Sequence, residues 1–150
     1  MAQRRINKFA AEGQSCVCSN LRMAARAITQ LYDAMMRQSG LRATQFSILG
    51  TTLILGPVTV KRLARATVTD RTTLTRNLKL LEKQGLIRIE TGDDRREREV
   101  TLTDRGREVL ARAYPIWKTA QVKVAKRFGR ERLERLLSEL SALVEVARVR

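Results

Sequence analysis

Between residues 74 and 102 the apolar pattern of this chain changes period. Leu74, Leu78 and Leu81 recur at helical spacing, whereas Leu86-Ile87-Arg88-Ile89-Glu90 alternates at strand spacing. A helix brings every third or fourth side chain to one face and a strand every second, so a helix must give way directly to an extended segment. Gly85 stands at the change and suits a helix stop. Gly92-Asp93-Asp94 turns the chain, and Glu99-Val100-Thr101-Leu102 reads as the return strand of a hairpin. A lone hairpin is marginal in water, so this one must lie against helices.

The flanking sequence supplies them. Residues 1–15 are polar and small, with Glu12-Gly13-Gln14-Ser15 breaking any pattern, and read as a loose or partner-docked arm. From about Cys18 to Gln38, Leu21, Ala24, Ile28, Leu31 and Met35 form one stripe that Ser39-Gly40 ends. Thr44 opens a second helix through Phe46, Leu49, Leu53 and Ile54, ending at Gly56-Pro57. Thr59 caps a short helix carrying Val60, Leu63 and Ala64, and Asp70 or Thr69 caps the leucine helix. Thr103 caps a long helix that Pro115 should bend and Phe128-Gly129 breaks, and a last helix carries Leu133, Leu136, Leu137, Leu140, Leu143 and Val144. The expected fold is therefore mainly α, an α+β winged helix-turn-helix of about six helices and a two-stranded β-wing. It divides into scaffold helices over 1–56, a winged region over 57–107 and further helices over 108–150, in one intertwined domain.

Charge narrows the function. Thirty Lys+Arg against fifteen Asp+Glu give a net +15, and a domain this basic usually meets a polyanion. The three regions carry about +5 each, so net charge alone does not locate the binding face. The absence of histidine removes His-based acid–base chemistry and His-ligated zinc, and no nucleophile–base pair or metal cluster is visible, so no enzyme or cofactor is expected. No run approaches the about 18 apolar residues of a membrane span, and the basic start lacks a signal peptide's apolar run, which makes the cytoplasm the expected location.

Spacing locates the face. On a helical wheel Leu74, Leu78 and Leu81 fall within about 60° of one another. Thr72, Thr75, Arg76, Lys79 and Lys83 fall opposite, with no acid among them. Residues in the first turns of such a helix reach base edges, where arginine matches the two acceptors of guanine and threonine offers a hydroxyl or a methyl. Lys79 and Lys83 lie further back, where phosphate is the natural partner. Arg95, Arg96 and Arg98 crowd the hairpin turn, and a narrow minor groove attracts arginine. Asp94 beside them could hold Arg96 extended through charge-assisted hydrogen bonds. The alternative for either element alone is an ordinary solvated, charged surface.

Leu63-Ala64, Asp70-Arg71-Thr72-Thr73-Leu74-Thr75-Arg76-Asn77-Leu78, Leu81-Glu82, Gly85-Leu86-Ile87-Arg88, Asp94-x-Arg96 and Leu102-Thr103-x-x-Gly106-Arg107 together resemble the MarR family of bacterial regulators. The resemblance implies an obligate homodimer built by the terminal helices, usually a repressor that a small ligand or an oxidant releases from double-stranded DNA. It places the wing arginine at Arg96, its supporting aspartate at Asp94, and recognition-helix contacts at Arg71, Thr72, Thr73, Thr75 and Arg76. One departure stands out. The family often has Leu-Gly in the turn before the recognition helix, where this chain has Thr67-Val68. A β-branched residue resists positive φ, so the turn is of another type or strained.

Two further expectations concern control. The stripes of the first and last helices have no evident partner within a winged helix, and a second copy can cover them, which makes the DNA site a pseudo-palindrome. A small aromatic or anionic effector is expected, by resemblance, near Arg22, Arg26, Tyr32, Phe46 and Trp117. Cys16-Val17-Cys18 opens the first helix, where a thiolate close to Arg22 would suit redox sensing or copper(I) binding. The plainer alternative is two small side chains packed at a dimer edge.

Overall fold

A computed structural model describes residues 1–92, 94 and 96–148 of the chain. Among these, seven α-helices and three strands follow one another. Helix α1 (Ala2–Glu12) leads through a 3-10 turn into α2 (Val17–Met36) and α3 (Ala43–Leu55). Strand β1 (Val58–Thr59), α4 (Val60–Ala66), α5 (Arg71–Lys83), β2 (Ile87–Thr91) and β3 (Arg98–Leu102) form the winged region. Two long helices, α6 (Asp104–Phe128) and α7 (Arg130–Arg148), complete the chain.

Side-chain caps start three of these helices. Thr59 accepts from the Arg62 N–H at 3.2 Å, Asp70 from the Thr73 N–H at 2.8 Å and Thr103 from the Gly106 N–H at 3.0 Å. Helix α3 is capped from a distance: Asp33 on α2 accepts from the Ala43 N–H at 2.7 Å, so α3 begins one residue before Thr44. That bond crosses ten residues, which a local reading of caps does not see. Gly40 and Gly85 follow α2 and α5 in the left-handed conformation that ends a helix.

The apolar stripes converge on one core. Leu49, Leu63, Leu74, Leu78, Leu81, Ile87 and Val100 are buried together with Met36, Leu110 and Ala113. The leucine face of α5 thus packs inward, while the strands close the core from below.

Three points differ from expectation. Residues 2–12 are helical rather than a loose arm; the 3.6 period of Ile6 and Phe9 is there but too short to stand out. The β2–β3 hairpin is the expected two-stranded wing, but its sheet has a third strand: β1 pairs with β3 through Val58↔Val100 and Thr59↔Glu99, giving the order β1-β3-β2. A two-residue strand has no periodicity of its own; its partner makes it one. Pro115 lies inside α6, which spans Asp104–Phe128. The helix count is one higher than expected because α1 exists.

Candidate nucleic-acid interface

Helix α5 and the hairpin lie on one module and present their polar faces outward. Arg71, Thr72, Thr73, Thr75, Arg76 and Lys79 are all exposed on α5, opposite the buried Leu74, Leu78 and Leu81. Thr75 donates its hydroxyl to the Arg71 carbonyl at 2.7 Å, leaving its oxygen and methyl for an outside partner. Among the residues of α5 and its cap, Asp70 is the acid at this end. Its carboxyl lies below its ordinary value of 3.8 because the Thr73 side chain and backbone N–H both stabilise the charged form.

The base of the wing is tied to the end of α5 by one threonine. Thr103 donates its hydroxyl to the Gly85 carbonyl at 2.6 Å, and its N–H donates to the Leu86 carbonyl at 3.2 Å. The same hydroxyl caps α6. From the other side, Gln45 on α3 donates to Gln84 at 3.4 Å. The far end of α5 is therefore held by α3 and by the start of α6 together.

Strands β2 and β3 pair from Ile87↔Leu102 to Thr91↔Arg98 and carry the tip outward. Arg96 and Arg98 are exposed there. Arg95 lies outside the described residues. Asp94 acts differently from the expectation: its carboxylate accepts from the Arg96 backbone N–H at 3.0 Å, and its carbonyl accepts from the Glu97 N–H at 2.8 Å. Among the described residues it shapes the turn through the main chain and does not pair with the Arg96 guanidinium.

Four exposed cations were not anticipated. Lys61, Arg62 and Arg65 stand on α4 away from the buried Leu63, and Arg88 is exposed on β2. The signal was a seven-residue helix with three basic residues and no acid. The turn that joins α4 to α5 holds Val68 at φ 49, a left-handed conformation that a β-branched residue adopts only under strain. The residues anticipated from the family's Leu-Gly pattern are thus in the strained form, not in a different turn.

A second feature lies between α3 and α6. A cavity of about 580 Å³ is lined by Phe46, Gly50, Leu53, Ile54, Arg107, Leu110, Ala111, Tyr114 and Trp117. Trp117 stacks with Phe46 at 5.6 Å and with Tyr114 at 5.7 Å between ring centroids. Phe46 and Trp117 were expected here; Arg22, Arg26 and Tyr32 do not line this space. Arg22 and Arg26 are exposed on α2, and Tyr32 is half-buried, its hydroxyl pKa raised by desolvation. The cation at the cavity is Arg107. Cys16 and Cys18 are both exposed, Cys16 at the N-cap position of α2. Among the described residues, none group as a metal site and no helix is long and apolar enough to cross a membrane.

Known proteins carry the same arrangement. A model of the MarR family matches residues 39–97, the segment from the turn after α2 to just before β3. The M. tuberculosis transcriptional regulator MosR, solved in complex with DNA, is 38% identical, with 89% of this chain and 99% of that chain covered and a TM-score of 0.78. The chain belongs to the MarR family. CouR, a transcriptional repressor solved bound to a 23-mer DNA duplex, is 25% identical over 89% of this chain and 95% of that chain, with a TM-score of 0.79. An uncharacterized HTH-type transcriptional regulator of Bacillus subtilis strain 168, YwoH, is 31% identical over 83 residues. That match spans 55% of this chain and 61% of YwoH, so it covers about three fifths of that protein. As a MarR-family member this chain is a transcriptional regulator, not an enzyme.

Proposed function

We propose that this MarR-family regulator is a homodimeric repressor that reads a pseudo-palindromic DNA site and leaves it when a small molecule binds. The observation that carries the DNA reading is the acid-free outer face of α5, where Arg71, Thr72, Thr75 and Arg76 are exposed beside the arginine-bearing wing. Thr72, Thr75 and Arg76 would face base edges, with Arg71 and Thr73 at the groove entrance. Lys79, and the α4 cations with it, would meet phosphate. Arg96, with Arg95 and Arg98, would enter the adjacent minor groove. MosR and CouR, each solved with DNA, support the assignment of partner.

The dimer follows from uncovered apolar surface. No residue of α7 is buried, and Leu21 and Ile28 on α2 with Leu136, Leu137 and Leu143 on α7 stand exposed. On α1, Ile6 and Phe9 are also exposed. Surface of this extent calls for a partner, and a second copy is self-complementary through a two-fold axis. Two reading helices would then stand about 34–36 Å apart, one turn of DNA.

The effector fits the cavity between α3 and α6. Its walls are apolar and aromatic, and Arg107 at its edge suits an aromatic molecule with an acidic group. Both walls also hold the far end of α5, through Gln45–Gln84 and Thr103–Gly85. A ligand that separates α3 from α6 therefore changes the pose of α5.

Competition between the DNA upstream of its own gene and a random duplex at fixed salt tests the core of this reading. Preference for the upstream DNA supports a sequence-specific regulator; equal binding of the two makes it a general DNA-coating protein. A second reading, release by oxidation or copper(I), is favoured by the exposure of both thiols. Replacing Cys16 and Cys18 by serine separates the two: release by oxidant that survives the replacement excludes the thiol mechanism.

A further inference from the structure

The last turn of α7 returns to the reading module. Arg148 donates from Nη2 to the backbone carbonyl of Arg65 at 2.8 Å, across 83 residues of chain. Its Nη1 donates to Glu145 at 3.1 Å, one turn earlier on α7. Arg65 lies in the last turn of α4, where carbonyls lack intrahelical partners and the helix dipole is negative. The same carbonyl accepts from the N–H of Val68 at 3.3 Å, the residue held at positive φ. One oxygen thus joins the end of α7, the end of α4 and the strained turn that aims α5. A guanidinium suits this place, since Glu145 orients one branch of a rigid fork while the other meets the carbonyl. The clefts flanking the end of α4 both include Arg148 in their walls.

We propose that Arg148 is a positioning residue for DNA recognition: it bolts the C-terminal helix to α4 and steadies the Val68 turn, and with it the angle of α5. Arg148 can have this role only if α5 is the DNA-reading helix. Because α7 also carries the exposed leucines assigned to the dimer, the bond links dimer geometry to the reading head.

The test measures affinity for upstream and random DNA across a salt series for wild type, Arg148→Ala, Glu145→Ala, Val68→Gly and the double variant Val68→Gly/Arg148→Ala. Arg148→Ala should keep the oligomeric state and lose roughly fivefold in affinity for upstream DNA, the scale of one hydrogen bond, with the salt slope unchanged. Glu145→Ala adds net positive charge, so general attraction to DNA would tighten its binding, whereas loss of Arg148's orientation weakens it. In the Val68→Gly background the Arg148 effect should shrink, because a relaxed turn needs less support. Wild-type affinity for Arg148→Ala, a loss accompanied by a shallower salt slope, tighter binding by Glu145→Ala, or an undiminished effect on Val68→Gly would each overturn the role. A wild type without preference for upstream DNA would sink the DNA-reading assignment and this one with it. A wild type that discriminates while Arg148→Ala matches it would sink only the role of Arg148.

Discussion

The backbone carbonyl of Leu86 occupies the space that a β-carbon on residue 106 would need. Gly106 is therefore what lets the first turn of α6 lie against the start of the wing, close enough for Thr103 to hold both Gly85 and Leu86. Gly106→Ala should destabilise the fold by about 2–3 kcal/mol, the scale of a forced backbone shift in a packed region. Urea unfolding measures it; an alanine variant as stable as wild type would show that α6 can move away without loss.

Relief of strain predicts the opposite sign at Val68. Its side chain is 62% exposed, so little packing is lost on truncation, while φ 49 costs a β-branched residue what glycine does not pay. Val68→Gly should stabilise the protein by about 1 kcal/mol after glycine's greater chain entropy is discounted. A lower thermal midpoint for Val68→Gly would show that the turn is not strained.

The wing offers a distinction between charge and shape. Asp94 accepts the Arg96 N–H with a side-chain oxygen that asparagine also has. Asp94→Asn should bind upstream DNA nearly as wild type, whereas Asp94→Ala should lose affinity as the turn loosens. Equal losses in both variants would mean that the negative charge itself matters. Arg96→Ala, which removes the groove-entering side chain, should weaken binding more than either.

Direct reading is expected at Arg76. Arg76→Ala should lose discrimination at particular base pairs by about 1–3 kcal/mol, with other positions little changed. Binding measured over a set of single-base variants decides this. A uniform loss across all of them would reassign Arg76 to phosphate.

Acid should loosen the start of α5. The carboxyl of Asp70 is lowered in the folded chain by its bonds to Thr73, so its contribution is complete above the ordinary value of 3.8. It fades as pH falls through the lower folded value, because protonation removes the acceptor charge. Protection of the Thr73 amide, measured against its intrinsic exchange rate at each pH, should fall over that window, and in Asp70→Asn that protection should not depend on pH there. The same acid response in Asp70→Asn would place the effect elsewhere.

The reading helix and hairpin were legible because their signals are local. Leu74, Leu78 and Leu81 declare a buried face, Asp70 and Gly85 mark its ends, and the change of period announces the strands. Neighbours within a turn of helix or a pleat of strand decide such features, so sequence alone determined the winged helix-turn-helix, its exposed polar face and the family pattern. Contacts between distant segments were not legible. The pairing of Val58 with Val100, the Asp33 cap on α3, the place of Arg107 rather than Arg22 or Arg26 at the cavity, and the bond from Arg148 to Arg65 all join residues ten or more positions apart. Tertiary structure alone decided these, because each depends on how helices pack in space, and spacing along the chain carries no record of that distance. Val68 lies between the two: its residue type showed that the turn was unusual, but only the structure shows its backbone in the left-handed form.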